Sequence, residues 1–303
     1  MKKYDCVIVG AGPTGIYCAY EFMSKKPGLK VLLIDKGHDI FSRRCPLIEK
    51  KLDKCPVNMN GEIGCYPSCS MTTGFGGAGA FSDGKYNITN EYGGWLQDYI
   101  PGDEVLGLIK YVDQINLDHG ASPEITDPET EAVKGIEKRA IAAGLKLLRG
   151  KVRHIGTEQN IEILKNIFKT MRSRVEYMFR AKIVDLIIDN GRATGIVLES
   201  GEKIYADNIV LGVGREGALW QQELLEALGV AFRNNQVDIG VRVETNNIVM
   251  EEINANLYEG KFKFNTSVGT TVRTFCSNPS GHVVIENQNG VVLCNGHAFR
   301  DIK

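Results

Sequence analysis

The sequence contains 303 residues, of which 43% are hydrophobic and 24% charged, a composition typical of soluble globular proteins. Its 36 basic and 37 acidic residues give a net charge of −1, which provides no electrostatic case for a nucleic-acid or membrane partner. No apolar run is long enough to cross a bilayer, and the apolar stretch near the N-terminus is too short for a secretory signal. We therefore expect a cytoplasmic protein of two closely joined domains.

The first forty residues carry a dinucleotide-binding pattern. The β-branched run at 4–9 predicts a buried strand, and the segment Gly-Ala-Gly-Pro-Thr-Gly at 10–15 opens a helix directly after it. A second apolar run at 31–34 ends in Asp35. A G-x-G-x-x-G spacing alone would be weak, but a strand before it, a helix after it and an acidic end to the second strand together predict a bound dinucleotide rather than a structural turn.

Each residue type in this pattern has a physical role. Gly10 permits the tight turn out of the strand, Gly12 lets the backbone approach a pyrophosphate, and Gly15 lets the helix pack closely on the sheet. The helix N-terminus offers free N–H groups and a partial positive charge to the phosphates. Asp35 ends the second strand, where its carboxylate can accept hydrogen bonds from ribose hydroxyls.

The segment after Asp35 contains an arginine pair and a cysteine-rich loop. Arg43 is placed to reach a diphosphate bidentately, and the alternative is that Arg43 and Arg44 form a surface pair. The loop at 45–70 has little periodicity and carries four of the eight cysteines: Cys45, Cys55, Cys65 and Cys69. Their spacing matches no standard metal-ligand pattern, so metal ligands, redox-active or substrate-facing thiols and inert thiols all remain open.

A second glycine-rich stretch covers residues 74–90. Small residues such as Gly77 and Gly79 let the backbone lie flat against a planar ligand and donate N–H bonds to it. A flexible linker is the alternative, but linkers rarely carry aromatic residues as close together as Phe75 and Phe81. We expect a loop that contacts a cofactor.

The remainder of the chain predicts helices first and then antiparallel strands. Residues 101–149 read as mainly helical, and a further helix begins near Thr157. Short strands are then predicted at 175–179, 183–188, 193–199 and 204–207, with turns at 190–191 and 200–203, and a buried strand follows at 208–215. After a short helix, further strand-like runs lie at 237–244, 261–264, 272–276, 282–286 and 291–294.

This order of elements resembles the FAD-binding fold of the glutathione-reductase-like flavoprotein superfamily. The stretch 74–90, taken with 153–157, 238–244 and 273–276, is similar to the family of uncharacterised FAD-dependent dehydrogenases. Residues 85–90 also resemble a flavin-loop motif of the aminoacetone-oxidase-like flavoproteins. The resemblance implies an α/β, FAD/NAD(P)-binding Rossmann-like fold with a β-meander, plus a second, mainly antiparallel substrate domain.

The resemblance also implies site residues. It places the ADP half of FAD against the first glycine turn and Asp35, with Arg43 near the diphosphate and Gly214 closing the site. It places the adenine beside the backbone of Ile183 and Val184. The candidate cofactor-binding residues are Gly10, Gly12, Pro13, Thr14, Gly15, Asp35, Lys36, Arg43, Gly77, Gly79, Ser82, Ile183, Val184 and Gly214.

The expected domains follow from the same resemblance. They are an FAD-binding part at 1–100, a helical insertion at 101–149, a second FAD-binding part at 150–220 and a partial substrate domain at 221–303. Similar flavoproteins end in a glycine–aspartate segment and a helix that faces the flavin. Nothing after Arg215 supplies this segment, so we expect a truncated chain. A second G-x-G-x-x-G module is also missing.

The sequence therefore predicts an FAD-dependent oxidoreductase that acts by hydride transfer on a small substrate, with an unidentified electron donor or acceptor. It assigns no catalytic acid or base, although Lys85 is the best candidate for a group near the flavin. One alternative is an NAD(P)-binding dehydrogenase. Another is a non-enzymatic flavin or metal redox sensor or electron carrier that uses the four cysteines of the 45–70 loop.

Overall fold

A computed structural model of the chain describes residues 3–46, 49–53, 68–235, 237–288 and 291–297. The chain forms two compact units. Unit 1 consists of Met1–Phe81, Leu164–Gly240 and Asn287–Val292, and unit 2 consists of Ser82–Ile163, Val241–Glu286 and Leu293–Lys303. This division does not coincide with the predicted boundaries after residues 100, 149 and 220, because it depends on pairing between segments far apart in sequence.

Helices and strands alternate in the order β1-α1-β2 near the N-terminus and again in the order β5-α4-β6 in the middle of the chain. The helices of the described residues are α1 (Pro13–Lys25), α2 (Gly102–Asp118), α3 (Glu131–Ala142), α4 (Thr157–Met171), α5 (Ala218–Ala227) and α6 (Asn247–Leu257). The strands are β1 (Lys3–Val9), β2 (Val31–Ile34), β3 (Lys85–Ile88), β4 (Lys146–Leu148), β5 (Lys151–His154), β6 (Val175–Met178), β7 (Ile183–Asp189), β8 (Arg192–Leu198), β9 (Lys203–Leu211), β10 (Lys261–Asn265), β11 (Thr271–Arg273), β12 (His282–Gln288) and β13 (Val291–His297).

Unit 1 is built on a six-stranded sheet with the order β6-β2-β1-β9-β8-β7. The first four strands are parallel, and β9, β8 and β7 form an antiparallel meander. Val9 at the end of β1 pairs with Ile34 of β2 and with Leu211 of β9, so these three strands end at one edge of the sheet. The predicted Rossmann-like α/β fold with a β-meander is confirmed, and β1 lies at the point where the strand order reverses.

The core of unit 1 explains why the sequence forms this sheet. Apolar side chains of β1, β2, β8 and β9 pack together, and Val7, Leu32, Ile196 and Ile204 are completely buried. Strands covered on both faces read as continuous apolar runs, which is the pattern of β1 and β2. Burial of this kind stabilises a fold by about 1.5–3 kcal/mol per large aliphatic side chain.

Unit 2 contains short antiparallel pairings and three helices. Strand β10 pairs with both β4 and β11, and β3 pairs with β5. Val133 and Ile136 of α3 pack against Leu147 of β4 and Leu257 of α6. Of these strands, β10 and β11 lie within 221–303, the range predicted for the second domain, whereas β3, β4 and β5 come from residues 85–154. The pairing of Lys85 with His154 joins segments about seventy residues apart, which the sequence pattern does not reveal.

Two predicted elements differ from the structure. Residues 237–244 form no strand, and Val237, Ile239, Val241 and Val243 are 80%, 94%, 90% and 75% exposed. Alternating apolar residues predict a strand only where a second strand pairs with them, and no described strand pairs with these residues. Within the predicted helical stretch 101–149, Lys146–Leu148 is a strand because it pairs with β10. Of the helices described above, none is long and apolar enough to cross a membrane.

Candidate functional site

Unit 1 contains a cavity of about 400 Å³ at the carboxyl edge of its parallel strands. This is the edge at which open α/β sheets bind ligands, and the volume lies within the range of about 300–1,000 Å³ found for small-molecule sites. All of the lining residues belong to unit 1. Ten of them were predicted from the sequence: Gly10, Gly12, Pro13, Thr14, Asp35, Lys36, Gly77, Gly79, Ile183 and Gly214.

The N-terminus of α1 forms one wall of the cavity. Gly12 is the N-cap, Pro13 occupies the first helical turn, and no side chain caps the helix. The first N–H groups of a helix have no partner within it, so this end can donate to an anionic group. Gly10 lies at φ +99°, and a Cβ there would be 2.4 Å from the carbonyl oxygen of Gly212, so the turn requires glycine.

The part of the glycine-rich stretch that belongs to unit 1, residues 74–81 (the glycine loop), lies beside this end of the helix. The Gly76 N–H donates to the Ala11 carbonyl at 2.8 Å, which ties the loop to the first turn. Gly77 lies at φ +56°, and a Cβ on it would be 3.1 Å from the Gly12 Cα. The two backbones therefore form a cradle without side chains, as a pyrophosphate would require. Gly15 does not line the cavity, since its Cβ position would be 1.9 Å from the Gly10 carbonyl oxygen in the contact between helix and strand.

Asp35 connects the glycine turn to the next part of the cavity. Its Oδ2 accepts from the Ala11 N–H at 2.8 Å and its Oδ1 accepts from the Gly37 N–H at 2.7 Å. Its backbone carbonyl accepts from the Ala181 N–H. Each carboxylate oxygen has a further lone pair, so Asp35 can still accept from ribose hydroxyls while its geometry is fixed by the backbone.

An ion pair and an aromatic side chain complete the lining, and the sequence did not predict either. Lys36 Nζ lies 3.1 Å from Glu216 Oε1, and both residues line the cavity. Trp220 of α5 also lines it, and its indole Nε1 donates to the Val184 carbonyl at 3.2 Å. Val184 itself does not line the cavity. Glu216 and Trp220 follow Gly214 closely in sequence, and that position was the one available signal.

Arg43 supports the glycine loop by hydrogen bonds from outside the cavity lining. Its Nε donates to the Ser70 carbonyl at 2.8 Å, and its Nη1 donates to the carbonyls of Phe75 and Gly77 at 2.7 and 2.9 Å. Burial lowers the pKa of its guanidinium to about 10, although the nearby Asp35 acts in the opposite direction. The structure does not bring Arg43 to the cavity wall. It braces the loop, and the direct diphosphate contact predicted from the sequence stays a prediction.

The predicted residues Ser82 and Lys85 belong to unit 2. The Ser82 carbonyl accepts from the Thr157 hydroxyl at 2.8 Å. The Lys85 ammonium is buried and donates to Glu259 Oε2 at 2.6 Å and to Cys276 Sγ at 2.8 Å. Burial acts to lower the pKa of Lys85, but Asp83 and Glu259 outweigh it and raise the pKa above its ordinary value. Lys85 is therefore an ammonium at neutral pH and not a proton acceptor.

The cysteine loop is described only in part. Cys45 and Cys69 are free thiols, while Cys55 and Cys65 lie outside the described residues. Within the described ranges, no three histidine, cysteine, aspartate or glutamate side chains come together as a metal site. The predicted alternative of a four-cysteine site therefore remains a prediction.

Residues 8–51 match the family model of an NAD(P)-binding Rossmann-like domain. The chain is 25% identical over 312 residues to an uncharacterized protein of Clostridium beijerinckii, which covers 97% of this chain and 48% of that protein. The chain thus spans about half the length of this relative. A second protein, Mbar_A1602 of Methanosarcina barkeri, is 61% identical over 36 residues, covering 12% of this chain and 9% of that protein.

Two solved structures are similar at low identity. L-amino acid deaminase from Proteus vulgaris is 14% identical with a TM-score of 0.42, covering 90% of this chain and 61% of the deaminase. Glycine oxidase from Bacillus cereus is also 14% identical with a TM-score of 0.42, covering 74% of this chain and 59% of the oxidase.

Proposed function

We propose that this protein is an FAD-dependent oxidoreductase whose unit 1 binds the ADP half of FAD in the cavity at the end of β1. The observation that carries this proposal is the meeting of three features at that cavity. They are the uncapped start of α1, the Gly12–Gly77 cradle and the carboxylate of Asp35. The start of α1 suits a phosphate, the cradle lets a pyrophosphate approach the backbone closely, and the Asp35 carboxylate suits ribose hydroxyls.

Two features favour FAD over a nicotinamide dinucleotide. The meander β7-β8-β9 extends the parallel part of the sheet. A meander at this place is part of the FAD-binding fold that the sequence resembles. The glycine loop, which is tied to the first turn through Gly76 and Ala11, brings the small residues Gly77, Ala78 and Gly79 to the cavity lining beside α1. Small residues let a long cofactor approach the backbone closely.

The bound flavin would accept or donate the hydride, and the protein would supply its orientation and electrostatic environment. The residues of unit 1 described above hold phosphate and ribose in position. Lys85 contributes a buried ammonium in unit 2 and, because its pKa is raised, does not remove a proton from a substrate at neutral pH. A small-molecule substrate and an electron donor or acceptor are part of the proposal, and we assign neither.

The absorbance spectrum of the purified protein tests this proposal. We expect oxidised-flavin bands, either as isolated or after incubation with FAD and gel filtration, and we expect a reductant to bleach them. A protein that stays colourless after reconstitution contradicts the proposal.

An NAD(P)-dependent dehydrogenase is the second candidate, because residues 8–51 match a family model with that description. The same protein preparation distinguishes the two. Saturable binding of NAD⁺ or NADP⁺ by a protein that retains no flavin would favour the second candidate. Stoichiometric iron or zinc that is lost on substitution of Cys45 and Cys69 would instead favour the redox-carrier alternative.

A further inference from the structure

Trp220 is the only aromatic side chain among the described residues that line the unit 1 cavity. It lies in the first turn of α5 and packs at the edge of the unit 1 core together with Ala181 and Val213. Its indole N–H donates to the Val184 carbonyl, so the ring is held at a fixed position on the cavity wall. A large, oriented aromatic surface at this place is not explained by the binding of phosphate or ribose.

The hydrogen bonds of Asp35 show in which order the parts of the cavity wall follow one another. Its carboxylate is bonded to Ala11 of the first turn, and its backbone carbonyl is bonded to Ala181. The phosphate-binding start of α1 therefore lies on one side of Asp35, and the segment 181–183 lies on the other. Phosphate, ribose and base follow one another in the same order in an adenine dinucleotide. The base would thus reach the part of the wall formed by residues 181–183.

Two backbone carbonyls in this region each accept one hydrogen bond within the fold. The Val184 carbonyl accepts from Trp220 at 3.2 Å, and the Lys182 carbonyl accepts from the Glu199 N–H at 2.8 Å. Contact with an aromatic face is the other common way to bind a base, because every base has an apolar π-surface. The indole is the group in the cavity that can provide this contact.

We infer that Trp220 is the base-recognition residue of the cavity, contacting the adenine of the bound nucleotide. This inference rests on the proposed function, since it takes the cavity to hold an adenine nucleotide. It adds an aromatic wall, positioned by the Val184 carbonyl, to the predicted contact of the adenine with the backbone of Ile183 and Val184. The ligand chemistry is a purine nucleoside diphosphate, which is the part that FAD shares with other adenine dinucleotides.

Titration with ADP and with inorganic pyrophosphate tests this inference on the whole chain. We expect W220A to bind ADP about tenfold more weakly than the wild type, the loss that removal of a base–aromatic contact causes. Pyrophosphate binding should be unchanged, and W220F should bind ADP within about threefold of the wild type because it keeps a ring. W95A is the matched control, since Trp95 is 47% exposed and belongs to unit 2.

Tryptophan fluorescence gives a second readout if W220A does not fold. The chain has two tryptophans, so W95F reports Trp220 alone and W220F reports Trp95 alone. We expect ADP to quench W95F and not W220F. Equal quenching of both variants, or equal ADP affinity of W220A and the wild type, would overturn the inference.

FAD titration of the same proteins separates this inference from the proposed function. If W220A binds ADP and FAD as tightly as the wild type, Trp220 is not the base wall, but the flavin proposal stands. If the wild type binds ADP in a Trp220-dependent manner and does not bind FAD, the flavin proposal fails and the base wall stands. A wild type that binds neither ligand overturns both.

Discussion

Gly12 and Gly77 lie almost in contact in the lining of the unit 1 cavity, with the Cβ position of Gly77 only 3.1 Å from the Gly12 Cα. One of these residues caps α1, and the other begins the short 3₁₀ helix Gly77–Phe81 of the glycine loop. Their separation is kept small by backbone contact alone. Any side chain added at this point enters the space that a pyrophosphate would use.

Gly12→Ala should separate cofactor binding from folding. The nearest atom to a Cβ on Gly12 is the Gly77 Cα at 4.0 Å, so the fold can accept the methyl group while the cradle becomes smaller. We expect an unchanged melting temperature and about tenfold weaker FAD binding, measured by thermal unfolding and flavin fluorescence. Gly28→Ala is the control, because no atom lies within 4 Å of its Cβ position. Equal FAD affinity in both variants would contradict the cradle.

Gly15→Ala, unlike Gly12→Ala, should lower the stability of the fold. A Cβ on Gly15 would lie 1.9 Å from the Gly10 carbonyl oxygen, so α1 must move away from β1. Overpacking of this kind costs about 1–3 kcal/mol, and backbone displacement can add to that figure. We expect a lower midpoint in denaturant unfolding, even in the absence of cofactor. A wild-type midpoint would show that α1 does not pack as closely as described.

Arg43→Lys should weaken the glycine loop although the charge is retained. A lysine ammonium cannot reproduce the fork by which Arg43 donates to the Ser70, Phe75 and Gly77 carbonyls. A buried carbonyl that loses its partner costs about 1–3 kcal/mol. We expect reduced stability and faster proteolysis within the glycine loop. Arg44→Lys is the matched control, since the Arg44 side chain is 70% exposed. If both variants behave alike, Arg43 is not the brace.

Stability should decrease at alkaline pH, partly through Tyr92. Burial, with a smaller contribution from Glu259, raises the pKa of Tyr92 to about 12. The fold therefore favours the neutral phenol. The corresponding stability is complete below the unfolded pKa of about 10 and is lost as the pH rises towards about 12. Between about pH 10 and pH 12, we expect the free energy of unfolding to fall less steeply with pH in Tyr92→Phe than in the wild type. The two slopes should differ by about 1.4 kcal/mol per pH unit. Parallel profiles for the two proteins would exclude this contribution.

The sequence predicted the local parts of unit 1 well, because each part is encoded in a short run of residues. The glycine turn is recognised by the spacing of its glycines, and α1 and the apolar strand before Asp35 are recognised by their hydrophobic patterns. It did not predict Glu216 or Trp220 as cavity residues, since both reach the site through the fold after Gly214. The role of Arg43 was equally hidden, because two of the carbonyls that it binds, those of Phe75 and Gly77, belong to the glycine loop some thirty residues further on.

Unit 2 was less predictable for a different reason. Its strands are three to seven residues long, and their partners are distant in sequence, as with Lys85 and His154. Short apolar runs do not specify which strands will pair, or whether any will. The run at 237–244, which begins in unit 1 and ends in unit 2, shows the same limit, since it has the alternation of a strand and forms none.

Equilibrium titration of the cofactor-free protein with FAD tests the central claim most directly, when wild type and Gly12→Val are compared. We expect one FAD per chain for the wild type and no measurable binding for a folded Gly12→Val variant, because the valine side chain fills the cradle beside Gly77. Equal FAD affinity in the two proteins would contradict the claim that the diphosphate lies on the first turn of α1.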